Sequence, residues 1–129
     1  MMKFPFSLDE SYNTIIVDAL LDGFELRLMV DTGASHTVVD LTTLLVNGYS
    51  FSQRKKEVKI ETAKGVAIAH VFEVKSLEGL SIKRSSFEIC SYDFLGNGIL
   101  SEYDGVLGID FFFKNQICID FVKSEITIS

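Results

Sequence analysis

Phe24-Glu25-Leu26-Arg27-Leu28-Met29-Val30-Asp31-Thr32-Gly33-Ala34-Ser35 is the stretch on which the reading of this chain turns. Phe24, Leu26, Leu28 and Val30 alternate with Glu25, Arg27 and Met29, a period of two that predicts a strand. The strand delivers a carboxylate, Asp31, into a tight turn made by Thr32 and Gly33, and apolar residues resume at Val38 and Val39. An ionisable group between two apolar runs is expensive to bury unless it has partners or a task. The turn suits a task. Gly33 lets another backbone or a ligand come close, and the Thr32 hydroxyl can both donate and accept.

Before this strand, an apolar run from Ile15 to Leu21 ends at Asp22-Gly23, one of the strongest short hairpin signals. Residues 4 to 8 read as a short edge strand, the only kind that tolerates Pro5. After the motif, Asp40 to Val46 reads as a short helix, with Asp40 as N-cap and Asn47-Gly48 closing it. Gln53 to Val74 reads as a second hairpin, with Val58 and Ile60 on one arm, Val66, Ile68 and His70 on the other, and Ala63-Lys64-Gly65 turning between them. Leu77 to Cys90 supplies one or two strands, and Tyr92 to Tyr103 reads as a loop. Then comes Asp104-Gly105-Val106-Leu107-Gly108-Ile109-Asp110-Phe111-Phe112. Here Gly108 permits a sharp exit into a short helix, Ile109 to Lys114, capped by Asp110. Gln116 to Ser129 reads as strand, turn at Lys123-Ser124, strand. The expected class is all-β with one or two short helices.

The 129 residues fit a single domain spanning 1–129. Hydrophobic residues make up 47 % and charged residues 23 %, so the chain has the composition to fill a core. A net charge of −6 and a pI near 4.8 argue against nucleic acid and against anionic membrane surfaces. Arg54, Lys55 and Lys56 read as a solvated face. Cys90 and Cys118 each sit in an apolar run, which favours buried free thiols and leaves a disulfide between them as the open alternative. His36 and His70 make no ligand spacing with them, so no zinc or other metal site is expected. Met1-Met2-Lys3-Phe4-Pro5 lacks the apolar core of a signal peptide, and no run reaches the length of a membrane span. With Met1 as a native start, the expected location is the cytoplasm.

Asp-Thr-Gly-Ala-Ser after a hydrophobic strand resembles the active-site loop of aspartic proteases, above all the retroviral-like (retropepsin) branch. Val106-Leu107-Gly108 is similar to the hydrophobic-hydrophobic-glycine element beneath that loop. The C-terminal order Leu-Gly-Ile-Asp-Phe-Phe, Ile-Cys-Ile-Asp-Phe, Ile-Thr-Ile looks like that of DNA-damage-inducible retroviral-like proteases and small bacterial relatives. The resemblance covers roughly residues 15 to 128. It implies an acid-protease barrel, closed or partly open, with one lobe per chain. Val106 and Leu107 would pack behind the Asp31 loop in a psi-shaped crossing. The second hairpin would be a flap closing over bound peptide, and the strand at Ile126 to Ile128 would interleave with its mate in a dimer.

Asp-Thr-Gly occurs once, whereas the chemistry of the resembled family needs two carboxylates sharing a proton around a water. Like charges so close cannot both ionise cheaply, an effect for which the aspartic protease dyad is itself the reference case. The resemblance therefore implies a homodimer that places Asp31 beside its symmetry mate, and an inactive monomer. It assigns catalysis to Asp31, Thr32 and Gly33, with Thr32 reaching the opposite loop. It assigns contact with an extended polypeptide substrate to Ala34, Ser35, Val38, Ala63, Lys64, Gly65, Ile68 and Val106. Ala34 in place of a hydroxyl residue implies a higher pH optimum than pepsin's. No metal or organic cofactor is implied. Two other classes stay open at this point: a non-catalytic peptide-binding or scaffolding dimer on the same fold, and an acidic β-domain that associates with a partner.

Overall fold

A computed structural model describes residues 1–8, 14–62 and 65–129. The described strands are β1 (Met2–Pro5), β2 (Ile16–Leu21), β3 (Phe24–Val30), β4 (Val38–Asp40), β5 (Lys56–Thr62), β6 (Gly65–Gly79), β7 (Ile82–Tyr92), β8 (Gly105–Leu107), β9 (Ile117–Asp120) and β10 (Glu125–Ile128). One α-helix, α1 (Leu41–Val46), and 3-10 turns at Phe51–Gln53, Leu95–Asn97 and Ile109–Phe112 complete the elements. No described helix is long and apolar enough to cross a membrane.

Six strands hydrogen-bond in the order β2-β3-β8-β4-β7-β6, and β6 pairs back onto β2 at Ala19↔Gly79, Leu20↔Glu78 and Leu21↔Leu77. That closes a barrel and removes the open edges a flat sheet would carry. β5 hangs from β6 outside the ring. A separate sheet, β1-β10-β9, lays Phe4, Ile117, Ile119, Ile126 and Ile128 against a core built around Leu21, Leu28, Phe72, Val74, Leu77, Leu107 and Phe111. The chain is a mainly β, single-lobed barrel.

The Asp22-Gly23 signal is realised. Both residues have positive φ (50° and 88°) between Leu21 and Phe24, as a two-residue hairpin turn requires. Phe24 departs from its expected inward face and is 54 % exposed, because it sits at the turn where no strand covers it. β6 runs on well past Val74, then turns at Leu80-Ser81 (φ 50° and 61°) into β7.

Four expectations are corrected. Asp40 precedes α1, but its side chain makes no cap bond; Oδ1 instead accepts the Phe94 N–H at 3.1 Å. Asp110 does not cap the helix after Gly108, which shrinks to a 3-10 turn; its carboxylate is drawn to Thr37 instead. β10 cannot interleave with a mate, because it is the central strand of its sheet with β1 and β9 on its two edges. Cys118 is exposed, because β9 turns its isoleucines inward and its cysteine outward; Cys90 is buried, and both thiols are free.

Candidate active site

The segment 31–37 leaves β3 and returns in β4, and β8 slots between those two strands. β8 runs parallel to β3 (Leu28↔Gly105, Met29↔Val106, Val30↔Leu107) and antiparallel to β4 (Val38↔Val106, Val39↔Gly105). The loop is thus suspended over the end of a strand that separates its two stems. Gly105 makes the crossing possible, since a Cβ there would lie 1.9 Å from the Val38 carbonyl oxygen.

Three ties fasten the loop to the chain that leaves β8. The Asp31 N–H donates to the Leu107 carbonyl at 3.0 Å, and the Ile109 N–H donates to the Ala34 carbonyl at 2.9 Å. At the third tie, the Thr37 N–H and hydroxyl donate to Asp110 Oδ1 at 2.9 and 2.8 Å, while Thr37 Oγ1 accepts the Gly108 N–H at 3.1 Å. Thr37 is 0 % exposed, so each of its polar groups must find a protein partner. Gly108 is required by space. A Cβ there would meet the His36 carbonyl carbon at 2.5 Å and the Ala34 carbonyl oxygen at 2.9 Å.

Inside the loop, the Asp31 carbonyl accepts the Ala34 N–H at 3.1 Å, and Asp31 Oδ1 accepts the Gly33 N–H at 3.0 Å. A carboxylate oriented by a backbone N–H is held in one rotamer without a neighbouring cation. The residue is half-buried, and its Oδ2 has no partner among the described residues. An oxygen in that state can accept a proton or a hydrogen bond from water. The Thr32 side chain is exposed and makes no hydrogen bond among the described residues. Ser35 Oγ lies 2.8 Å from His36 Nδ1.

Two hollows flank Ala34, Val38 and Ile60. One, of about 920 Å³, is lined by Gly33, Ala34, Ser35, Val38, Val58, Ile60, Val71 and Cys90, with Lys56, Lys59, Glu61 and Glu88 also on its wall. The other holds Asp31 and Val106 beside Met29, Tyr92, Phe94, Ile99, Leu100 and Tyr103. Burial, and then the charge of Asp110, push the Cys90 thiol up; burial, and then Asp40, do the same for the Tyr92 phenol. No three His, Cys, Asp or Glu side chains gather as a metal site among the described residues.

The structure brings Asp31, Gly33, Ala34, Ser35, Val38 and Val106 to these hollows. It does not bring Ile68, which lies on the outer face of β6 and is 56 % exposed. Ala67, Ala69 and Val71 take the inner face of that strand by its period of two. The apolar contribution of the hairpin comes from the other arm, through Val58 and Ile60. Gly65 starts β6, is exposed and lines neither hollow. Ala63 and Lys64 lie outside the described residues. Sequence reasoning missed Thr37, Asp110 as its acceptor, and the aromatic wall of Tyr92, Phe94 and Tyr103. An acidic residue two positions past Gly108, with a small hydroxyl residue before Val38, is the signal that was available for the first pair.

The family model described as aspartyl protease matches residues 17–111, from β2 to the 3-10 turn after Gly108. Among solved structures, the chain is similar to a retropepsin-like aspartic protease from Rickettsia conorii. The TM-score is 0.72 at 16 % identity, over 98 % of this chain and 89 % of that one. At that identity the likeness establishes the fold. No curated protein matches the sequence.

Proposed function

Since this chain belongs to the aspartyl protease family, we propose that it is an aspartic endopeptidase. It would cleave extended polypeptide with a water activated between Asp31 and the Asp31 of an identical partner, the whole chain serving as one protease domain. The observation that carries this reading is the Asp31 carboxylate itself: one per chain, oriented by Gly33, open on Oδ2, on a loop tied at three points to the end of β8 and the 3-10 turn that follows it.

One ionised Asp31 takes a proton from the water as it attacks the scissile carbonyl. The protonated mate hydrogen-bonds the carbonyl oxygen and then helps protonate the leaving amine. Thr32, exposed and without a hydrogen-bond partner among the described residues, is available to the opposite loop. Gly33 leaves room for the water: a Cβ there would lie 3.3 Å from Asp31 Oδ1. The peptide would lie extended between the β5–β6 hairpin and residues 33–38, with apolar side chains in the two hollows. Ala34, Ser35, Val38 and Val106 form the floor and wall, joined by Val58 and Ile60.

Cleavage of an unfolded protein by wild type and by Asp31→Asn tests this. Asn keeps the size and removes the charge, so the rate should fall by about a hundred-fold or more. Equal cleavage by the two would overturn the assignment. No cleavage by either, from a protein that is dimeric, would leave a peptide-binding dimer as the better account.

A further inference from the structure

We propose that Lys56 is a specificity residue of the cleft, reading an acidic side chain, Asp or Glu, of the bound polypeptide. This rests on the protease reading above and names a feature of the substrate.

The register of the β5–β6 hairpin decides which way each side chain turns. Lys56, Val58 and Ile60 lie opposite Val71, Ala69 and Ala67, all three of them buried. Directly paired residues share a face, and successive residues alternate. Lys56 therefore stands on the same face as Val58 and Ile60, over the small apolar cluster of Ala69, Val71 and Cys90, and lines the larger hollow with them. Glu57, Lys59 and Glu61 take the other face with His70, Ile68 and Val66.

The charges around this hollow are not equivalent. Glu88 shares the inner face, two residues before Cys90 on β7, but Lys55 Nζ lies 4.0 Å from it and 3.9 Å from Glu73. Asp110 is held by the N–H and hydroxyl of Thr37, and His36 Nδ1 is engaged by Ser35 Oγ. Lys56 makes no ion pair among the described residues. Its charge is nevertheless felt at the floor: burial and then Asp110 raise the Cys90 thiol, and Lys56 opposes them. The chain as a whole carries a net charge of −6. A cation turned inward over an apolar floor, with no anion of its own, suits an anion that arrives with the ligand.

Position along the strand says which part of the ligand that is. Ile60 lines both hollows, whereas Lys56 and Val58 line only the one that lacks Asp31. Lys56 is four residues back from Ile60 along β5, about 13 Å at the rise of a strand. An extended peptide whose cleaved bond lies at Asp31 thus brings to Lys56 a residue about two to four positions away, not the pair that flanks the bond. A two-fold dimer repeats the contact, so the acid is read on either flank.

Digestion of a synthetic library of random-sequence peptides, with the cut sites read by mass spectrometry, tests this. Asp and Glu should be enriched at those flanking positions. In a good substrate drawn from the library, replacing the enriched Glu by Gln should lower kcat/KM about two- to fivefold, the range of a solvent-accessible ion pair. The change should fall chiefly on KM and shrink with added salt. Lys56→Met should erase the preference, and Lys56→Glu should invert it toward Lys and Arg. Lys83→Glu makes the same change of charge near the start of β7, outside both hollows, and should leave the preference intact. Asp31-dependent cleavage with no acid preference, or with the same preference in wild type and Lys56→Glu, would overturn the role of Lys56 and leave the protease. Capture of acidic library peptides by immobilised wild type, lost in Lys56→Glu and without any Asp31-dependent cleavage, would leave the Lys56 contact and overturn the protease. A protein that neither cuts nor captures the library would overturn both.

Discussion

Replacing Asp110 tests whether the loop that carries Asp31 is held from below. In the native protein its carboxylate accepts two donors from Thr37, the N–H at 2.9 Å and the hydroxyl at 2.8 Å, and Thr37 has no exposure to water. Asp110→Ala strands both donors. A buried donor left unsatisfied costs about 1–3 kcal/mol, so the pair should cost about 4 kcal/mol. Unfolding entropy of about 2.1 cal/mol/K per residue gives roughly 0.27 kcal/mol/K for a chain of this length. The expected fall in Tm is then about 15 °C. Asp110→Asn keeps one acceptor oxygen, for a neutral bond in place of a charged one, and should lose about a third as much. Thr37→Val removes the hydroxyl, so in the double variant with Asp110→Ala the losses should fall short of additivity by about 1–2 kcal/mol. Thermal and urea unfolding of wild type and the four variants measure this, and cleavage rates should fall in the same order. An Asp110→Ala variant within about 0.5 kcal/mol of wild type, the range of an ordinary surface change, would refute the reasoning. So would an Asn variant as damaged as the Ala variant.

Gly108→Ala should lower stability by about 3 kcal/mol or more, or prevent folding, since the new methyl meets the backbone of His36 and Ala34; an unchanged Tm would show that the loop sits less tightly on β8. Arg84 donates to the Phe111 carbonyl at 2.9 Å, the Phe113 carbonyl at 2.6 Å and Asn115 Oδ1 at 2.9 Å. Lysine cannot reproduce that fork, so Arg84→Lys should lose about 2 kcal/mol in urea unfolding, and a silent substitution would remove the clamp. Tyr49 is pushed up to about 12 by burial first and then by its hydrogen bond to Asp22. The folded state holds this proton more tightly than the unfolded state, so the contribution is full below pH 10 and is lost as pH rises from 10 toward 12. After discounting for partial exposure, wild type should lose about 1 kcal/mol more than Tyr49→Phe between pH 9.5 and 11.5. Parallel losses would contradict the assignment.

The elements legible in the sequence are those whose signals are local. Alternation announced β3, and Asp-Gly announced its hairpin, because a two-residue turn needs positive φ at both positions. The turn between β6 and β7 also has positive φ at both residues, but it is made by Leu80 and Ser81, neither of which advertises that conformation. The seat of the Asp31 loop was legible in Val106-Leu107-Gly108 only through its resemblance to the aspartic protease element, and the structure supplies the physical reason for the glycine, the close approach of the His36 and Ala34 backbone. What fastens the loop was not. Asp40 and Asp110 both stand where a helix cap would stand, and local pattern cannot tell a cap from a carboxylate recruited across the fold to Phe94 or Thr37. The wall of the cleft was misread for a similar reason. Val66 and Ile68 are as apolar as Val58 and Ile60, and only the pairing of β5 with β6 decides which arm turns inward.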